Sequence, residues 1–282
     1  MEVISSISEI QHLSLKFERE GNKIGFVPTM GYLHEGHLSL INLIRDRSDV
    51  VILSIFVNPT QFGVGEDLNE YPRDQERDLE LCRDRKVDYV FAPETDEIYL
   101  PDATTFVSEE GVSAGLCGQA RPTHFKGVTT ICAKLFNLCR PTYVALGQKD
   151  AQQVVVIKRM IRDLHFPIEV VIGPTIREPD GLAMSSRNTY LNSEERKVAP
   201  LLYQTLQQAA VIIQNNPKQN LEVLAENLAG QLNAVPQIKI DYLSFVDAES
   251  LQPVSQFNGN VCLMVAAFVG NTRLIDNLLI QT

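Results

Sequence analysis

The residues best suited to chemistry lie in Pro28-Thr29-Met30-Gly31-Tyr32-Leu33-His34-Glu35-Gly36-His37, where two histidines stand three residues apart. Two imidazoles at that spacing can point at the same phosphate group, and Gly31 and Gly36 let the backbone come close to it. Histidine donors at a triphosphate would stabilise the charge that develops as pyrophosphate leaves. A zinc helix of the HExxH type needs its histidines four apart, so this pair does not match one. The plainer role is a histidine pair that caps a turn.

Three further stretches carry polar groups suited to anions. In Asp180-Gly181-Leu182-Ala183-Met184-Ser185-Ser186-Arg187-Asn188, Arg187 supplies fixed planar donors, and Ser185 and Ser186 add short hydrogen bonds. The plainer reading is a polar interdomain loop. In Leu146-Gly147-Gln148-Lys149-Asp150-Ala151-Gln152-Gln153, Lys149 can bring a point charge to a phosphate, and Asp150 is a natural helix N-cap. Asn58-Pro59-Thr60-Gln61-Phe62 offers amides, which recognise a hydroxyl or carboxylate without a fixed charge.

The elements around these stretches explain how they can meet. Ser5 to Glu20 has helical spacing, Lys23 to Pro28 is a short apolar strand, and His37 to Arg47 reads as a helix with Leu38, Leu40, Ile41 and Ile44 on one side. Asp49 to Asn58 is a β-branched run expected of a strand buried on both faces. Arg73 to Arg85 reads as a charged helix burying Leu79 and Leu81, followed by a strand from Val87 to Ala92. Gly127 to Cys139 and Asp150 to Leu164 read as helices, Thr142 to Leu146 and Ile168 to Gly173 as strands. This alternation predicts an α/β fold with a doubly wound parallel sheet. All four polar stretches then fall where strands give way to helices, and ligands of open α/β sheets bind outside those strand ends. Helix N-termini there add unpaired N–H groups and partial positive charge.

After about Pro174 the pattern changes. Ser193 to Asn215 and Leu221 to Asn233 read as long helices. Lys239 to Val246, Val261 to Val269 and a final Thr272 to Ile280 segment read as strands and a short terminal element. Helices followed by strands predict a smaller C-terminal α+β domain. The expected division is 1–175 for the parallel-sheet domain, with the anion site at its strand ends, and 176–282 for a smaller α+β lid.

The chain has 282 residues and a formal charge of −10, from 25 Lys and Arg against 35 Asp and Glu. That balance argues against a nucleic-acid binder, which needs clustered cations, but leaves room for a local anion site. No apolar stretch is long enough for a membrane span. The first residues lack the basic start and apolar run of a secretory signal. Five cysteines without a CxxC pair fit reduced thiols in the cytoplasm. Cys132 and Cys139 share one helix face with Ile131, Leu135 and Phe136, a core pattern.

PTMGYLHEGH, NPTQFGVGEDLNEYPRD, RPTHFKGV, LGQKDAQQ, DGLAMSSRN and VGNTRLIDN, in that order from Pro28 to Asn277, resemble the motifs of the pantoate–β-alanine ligase (pantothenate synthetase) family. That family belongs to the HIGH-motif nucleotidyltransferases, with a Rossmann-like fold. The resemblance implies ATP-dependent condensation of (R)-pantoate with β-alanine through a pantoyl adenylate, giving pantothenate, AMP and pyrophosphate. It implies an ATP site at Met30, Gly31, Tyr32, Leu33, His34, Glu35, Gly36 and His37, with His37 as proton donor. Gly147, Gln148, Lys149, Asp150, Ile176, Met184, Ser185, Ser186 and Arg187 would complete that site, with His34, His37, Lys149 and Arg187 as the catalytic set. Gln61 would contact pantoate and β-alanine, Gln153 pantoate, and Asn58 and His124 would neighbour them. It implies Mg²⁺ with ATP, a cytoplasmic homodimer, and neither nucleic acid nor membrane as partner. No metal ligands are assigned; Asp74, Glu76 and Asp78 are read as a solvated helix face rather than as a magnesium site. Gln148 departs from a commonly acidic position, Ala151 from an often aromatic one, and Gly65 is not the most typical choice.

Two rival readings remain open at this stage. One is a nucleotidylyltransferase that stops at an adenylated product; the other is a non-catalytic nucleotide sensor on the same fold.

Overall fold

A computed structural model describes residues 1–281 of the chain. The first part runs β1 (Glu2–Ile4), α1 (Ile7–Arg19), β2 (Ile24–Thr29), α2 (Glu35–Arg45), β3 (Val50–Ile55), α3 (Gln75–Asp84) and β4 (Tyr89–Phe91). It continues through two single turns, α4 (Thr95–Ile98) and α5 (Cys117–Ala120), to α6 (His124–Cys139), β5 (Tyr143–Gly147), α7 (Ala151–Asp163) and β6 (Glu169–Gly173). These six strands form one sheet in the order β1-β4-β3-β2-β5-β6, with every pairing parallel. β1 was not anticipated, because three residues are too few to display a period.

Alternation along the strands distributes the core between two faces. Phe26, Ile52, Val144 and Leu146 pack with Ile10 of α1, Ile131 and Phe136 of α6, and Ile157 of α7. Val27, Val51, Leu53 and Ala145 face the other way, onto Leu38, Ile41 and Ile44 of α2 and Cys82 of α3. The order reverses beside β2: the chain steps from β2 to β3 and β4 on one side, then returns to β5 on the other. The carboxyl ends of β2 and β5 therefore diverge around a crevice, the place where such sheets bind ligands.

The second part holds α8 (Ser193–Val198), α9 (Leu201–Asn215), α10 (Leu221–Asn233), β7 (Ile238–Asp247), β8 (Asn260–Val269) and β9 (Thr272–Gln281). The strands form an antiparallel sheet in chain order. The single helix expected from Ser193 to Asn215 is two helices. Pro200 lacks an N–H, and its ring clashes with the carbonyl four residues earlier, so the chain restarts with Pro200 as N-cap of α9. The final segment is a full ten-residue strand. Leu202, Leu206, Leu224 and Leu228 pack on Val265 and Leu274 in a core of their own. A further cluster joins Cys117, Phe125 and Val156 to Val246, Cys262 and Met264, so the two parts share apolar contacts. Among the described residues no helix is long and apolar enough to cross a membrane.

Candidate active site

A cavity of about 1030 Å³ opens at the carboxyl ends of the parallel strands. Met30, His34, Gly36 and His37 border it after β2, Asn58 and Gln61 after β3, and His124 at the start of α6. Gly147, Lys149, Asp150 and Gln153 border it after β5, and Ile176 and Met184 to Arg187 after β6. Five members of the expected nucleotide set do not: Gly31, Tyr32, Leu33, Glu35 and Gln148. Leu33 is sealed in the core, and Glu35 is exposed, 3.3 Å from Arg85.

The histidine turn is built by its own backbone. His34 is the N-cap of α2, and its Nδ1 accepts the Gly36 N–H at 3.1 Å. The His34 N–H in turn donates to Nδ1 of His37 at 3.3 Å, a reciprocal capping box. The pair caps its own turn while both residues border the cavity, with ring centroids 4.1 Å apart. Because both Nδ1 atoms accept, the neutral rings carry their protons on Nε2. Burial, with the nearby Lys149 charge, lowers the His34 pKa to about 4; burial and His34 push His37 well below its ordinary range. Both rings are neutral at pH 7, so each presents an Nε2–H donor rather than an imidazolium. Gly36 is required here, since a Cβ would lie 2.8 Å from the His34 ring.

Behind this turn stands a residue the sequence misled us about. Asp78, expected on a solvated helix face, is 1% exposed. Its two carboxylate oxygens accept the Tyr32 and Leu33 N–H groups at 2.7 Å each. Gly31 (φ +80°) and Tyr32 (φ +49°) are left-handed, which turns those amides toward α3. Burial raises the Asp78 carboxyl pKa against the two amide bonds that lower it. Leu79 and Leu81, expected to bury, are only half-buried; Asp78 and Cys82 form the inner face of α3. Asp74 caps α3 through the Arg77 N–H.

The amides after β3 form a compact network. Asn58, 1% exposed, donates to Gln61 Oε1 at 3.1 Å and to the Gly127 carbonyl at 3.2 Å, while accepting from Thr60 and Tyr99. This fixes the Gln61 side chain with its NH₂ toward Met30 Sδ, 3.0 Å away. His124 Nδ1 lies 2.9 Å from the Gln61 carbonyl, and burial lowers its pKa to about 4. Gln152, next to Gln153, is a buried strut that donates to the Val112 and Gly115 carbonyls.

Lys149 reaches the cavity from a 3₁₀ turn, Gln148–Asp150, between β5 and α7. Asp150 occupies the N-cap position of α7 but makes no capping bond there; its carboxylate lies 3.4 Å from Lys149 Nζ instead. Gln148 turns away to bond Asn277 of β9. Arg187 is already engaged: its Nε and Nη2 grip Asp67 at 2.8 and 2.9 Å. Ser186 is buried against the Tyr71 hydroxyl at 3.1 Å. Arg121 pairs with Glu66 on the same loop as Asp67.

A family model described as pantoate-beta-alanine ligase matches residues 2–279. The chain belongs to the pantoate–β-alanine ligase family. It is 49% identical to the pantothenate synthetase of Thermosipho africanus over 99% of this chain and all of that protein. The crystal structure of pantothenate synthetase from Thermus thermophilus superposes with a TM-score of 0.94 at 43% identity over both whole chains. Pantoate-beta-alanine ligase from Francisella tularensis, complexed with beta-gamma ATP and beta-alanine, gives 0.81 at 34% identity, covering 99% of this chain and 97% of that one.

In this ligase-family chain the cavity is also bordered by Glu66, Asp67, Tyr71 and Asn277, to which sequence reasoning gave no role. Glu66, Asp67 and Tyr71 lie within the NPTQFGVGEDLNEYPRD stretch, and Asn277 ends VGNTRLIDN. Their membership in those stretches was the available signal. Their partners, however, lie more than 50 residues away in sequence, at Arg121, Arg187, Ser186 and Gln148.

Proposed function

We propose that this cavity condenses (R)-pantoate with β-alanine at the expense of ATP, through a pantoyl adenylate. The observation that carries the reading is that a phosphate-suited set (His34, His37, Lys149, Arg187) and an amide set (Gln61, Gln153) border one cavity. Adenylation turns a carboxylate into an electrophile, so no protein nucleophile is needed; aligning two anions is the main task. The Nε2–H groups of His34 and His37 and the Lys149 ammonium hold the phosphates as the pantoate carboxylate attacks the α-phosphorus and pyrophosphate departs. Gln61, oriented by Asn58, and Gln153 hold pantoate in line. The β-alanine amine then attacks the acyl carbon, AMP leaves, and the amine proton passes to an adenylate phosphate oxygen or to solvent.

ATP enters as its magnesium complex. Among the described residues no three His, Cys, Asp or Glu side chains gather as a metal cage. A small hard cation carried by phosphates needs few protein ligands, and Asp150, beside Lys149, is the carboxylate at hand. The chain after Pro174 acts as the lid, bringing the Met184–Arg187 loop to the nucleotide. The family resemblance further supports a cytoplasmic homodimer, which analytical ultracentrifugation tests as to assembly.

A coupled AMP-release assay checks the reaction. Turnover must require both pantoate and β-alanine; a stable adenylated product that accumulates with β-alanine present would overturn it in favour of a nucleotidylyltransferase.

A further inference from the structure

Asn277 lies on β9, in the antiparallel sheet, yet its side chain spends every hydrogen bond on the far side of the cleft. Its Nδ2 donates to the Gln148 and Lys149 carbonyls at 2.9 Å each, and its Oδ1 accepts from Gln148 Nε2 at 3.0 Å. Asn277 is 4% exposed, so these bonds are shielded from water. Among the described residues the Lys149 ammonium, by contrast, has one polar side-chain partner, Asp150 at 3.4 Å. The backbone of its turn therefore decides where the charge stands. The preceding residue, Asp276, holds the opposite loop: it grips Arg177 at 2.6 and 2.9 Å. Arg177 donates to the Gly181 carbonyl at 3.1 Å and stacks over Tyr203 at 3.5 Å, just ahead of Met184–Arg187. Adjacent strand residues point to opposite faces, so this one dipeptide ties β9 to two of the cavity-lining segments.

We propose that Asn277 is a positioning residue for adenylation, fixing the Lys149 turn so that the ammonium meets the ATP phosphates. The proposal rests on the assignment of Lys149 to those phosphates. An error of about 1 Å in placing such a group costs as much as 10²-fold in rate. Neither the histidine turn nor the Gln61 amide contacts Asn277 through its side-chain bonds, so the effect should fall on the half-reaction that uses Lys149.

The test uses the full-length protein with Asn277→Ala, Asn277→Ser (which retains one donor), Lys149→Ala and the Lys149→Ala/Asn277→Ala pair. Pyrophosphate formation from magnesium ATP and pantoate is followed in the pre-steady state. Attack of β-alanine on preformed pantoyl adenylate is followed separately. Asn277→Ala should slow the first step by about tenfold or more and leave the second within about twofold. Asn277→Ser should fall between it and the parent, and carries the test if the alanine variant does not fold. The double variant should be no slower than Lys149→Ala alone. Equal slowing of both half-reactions, or losses that multiply in the double variant, would overturn the proposal. A Lys149→Ala variant with normal pyrophosphate formation would overturn the lysine assignment and this inference together. An impaired Lys149→Ala beside a normal Asn277→Ala would remove the positioning role alone.

Discussion

The turn that carries His34 and His37 is held by its own backbone and one buried carboxylate, whereas the loop that carries Arg187 is held by side chains from across the cleft. In the first region every restraint is local or buried: the reciprocal cap, the Gly36 contact and the Asp78 carboxylate under the Tyr32 and Leu33 amides. In the second, Arg187 is paired with Asp67, Ser186 with Tyr71, and the Tyr190 hydroxyl with the Glu70 carbonyl. Those partners all belong to the loop between β3 and α3. Under the proposed function, the first region is preorganised for charge that develops during reaction. Under the same reading the second acts as an exchangeable latch, because a phosphate can take the place of a carboxylate on a guanidinium.

The sharpest break in this contrast comes from His37→Ala. Loss of one preorganised donor should lower the pyrophosphate burst by about 10²-fold or more, with ATP binding affected far less. An unchanged burst would sink the donor assignment. Asp78→Ala should come next, although Asp78 does not border the cavity. It leaves the buried Leu33 N–H unpaired, at about 1–3 kcal/mol, together with the part-buried Tyr32 N–H, and should lower both melting temperature and burst rate. A variant that melts earlier but adenylates normally would show that the turn holds its shape without the carboxylate.

The neutral histidines give a pH signature. His34 and His124 have pKa values near 4 in the folded chain, below the 6.5 of an ordinary histidine. Between those values the unfolded chain binds more protons, so stability rises with pH across the window and is lost as pH falls from 6.5 toward 4. Urea midpoints measured across that range should drop on acidification, and the drop should shrink in a His34→Asn variant. The smallest effect belongs to the latch. Asp67→Asn removes the charge of the mostly buried bidentate partner of Arg187 and frees the guanidinium for phosphate. KM for ATP should fall by a few-fold with kcat little changed; a large loss of kcat would mean that Asp67 has a direct part in the reaction.

The comparison also explains what could be read in the sequence. Runs such as Val50–Ile55 declare themselves as buried strands, and chemistry-bearing residues after them fall at the carboxyl rim by topology alone. Local grammar was readable too: Asn192 followed three residues later by Glu195 is a capping-box pattern, and the pair forms that box at the start of α8. The break at Pro200 was equally available, since a proline inside a helical pattern forbids the bond it would have to make. Asp78 was not readable. It sits among Asp74, Glu76 and Arg77 in a charged helix, and only the left-handed pair Gly31–Tyr32, docked against that helix, makes its burial favourable.

The −10 charge follows the same division. By itself the sequence determined the alternating elements, the positions of the polar stretches at strand ends, and the four cationic or imidazole groups offered to an anion. Periodicity and turn chemistry are properties of neighbouring residues, so they are written locally. Only the tertiary structure decided which distant carboxylates restrain those groups: Asp78 under the histidine turn and Asp67 on Arg187. It also decided that Asn277, 128 residues from Lys149, closes the lysine turn. Those choices depend on burial and on distances across the cleft, which arise only when the parallel sheet and the antiparallel sheet pack together.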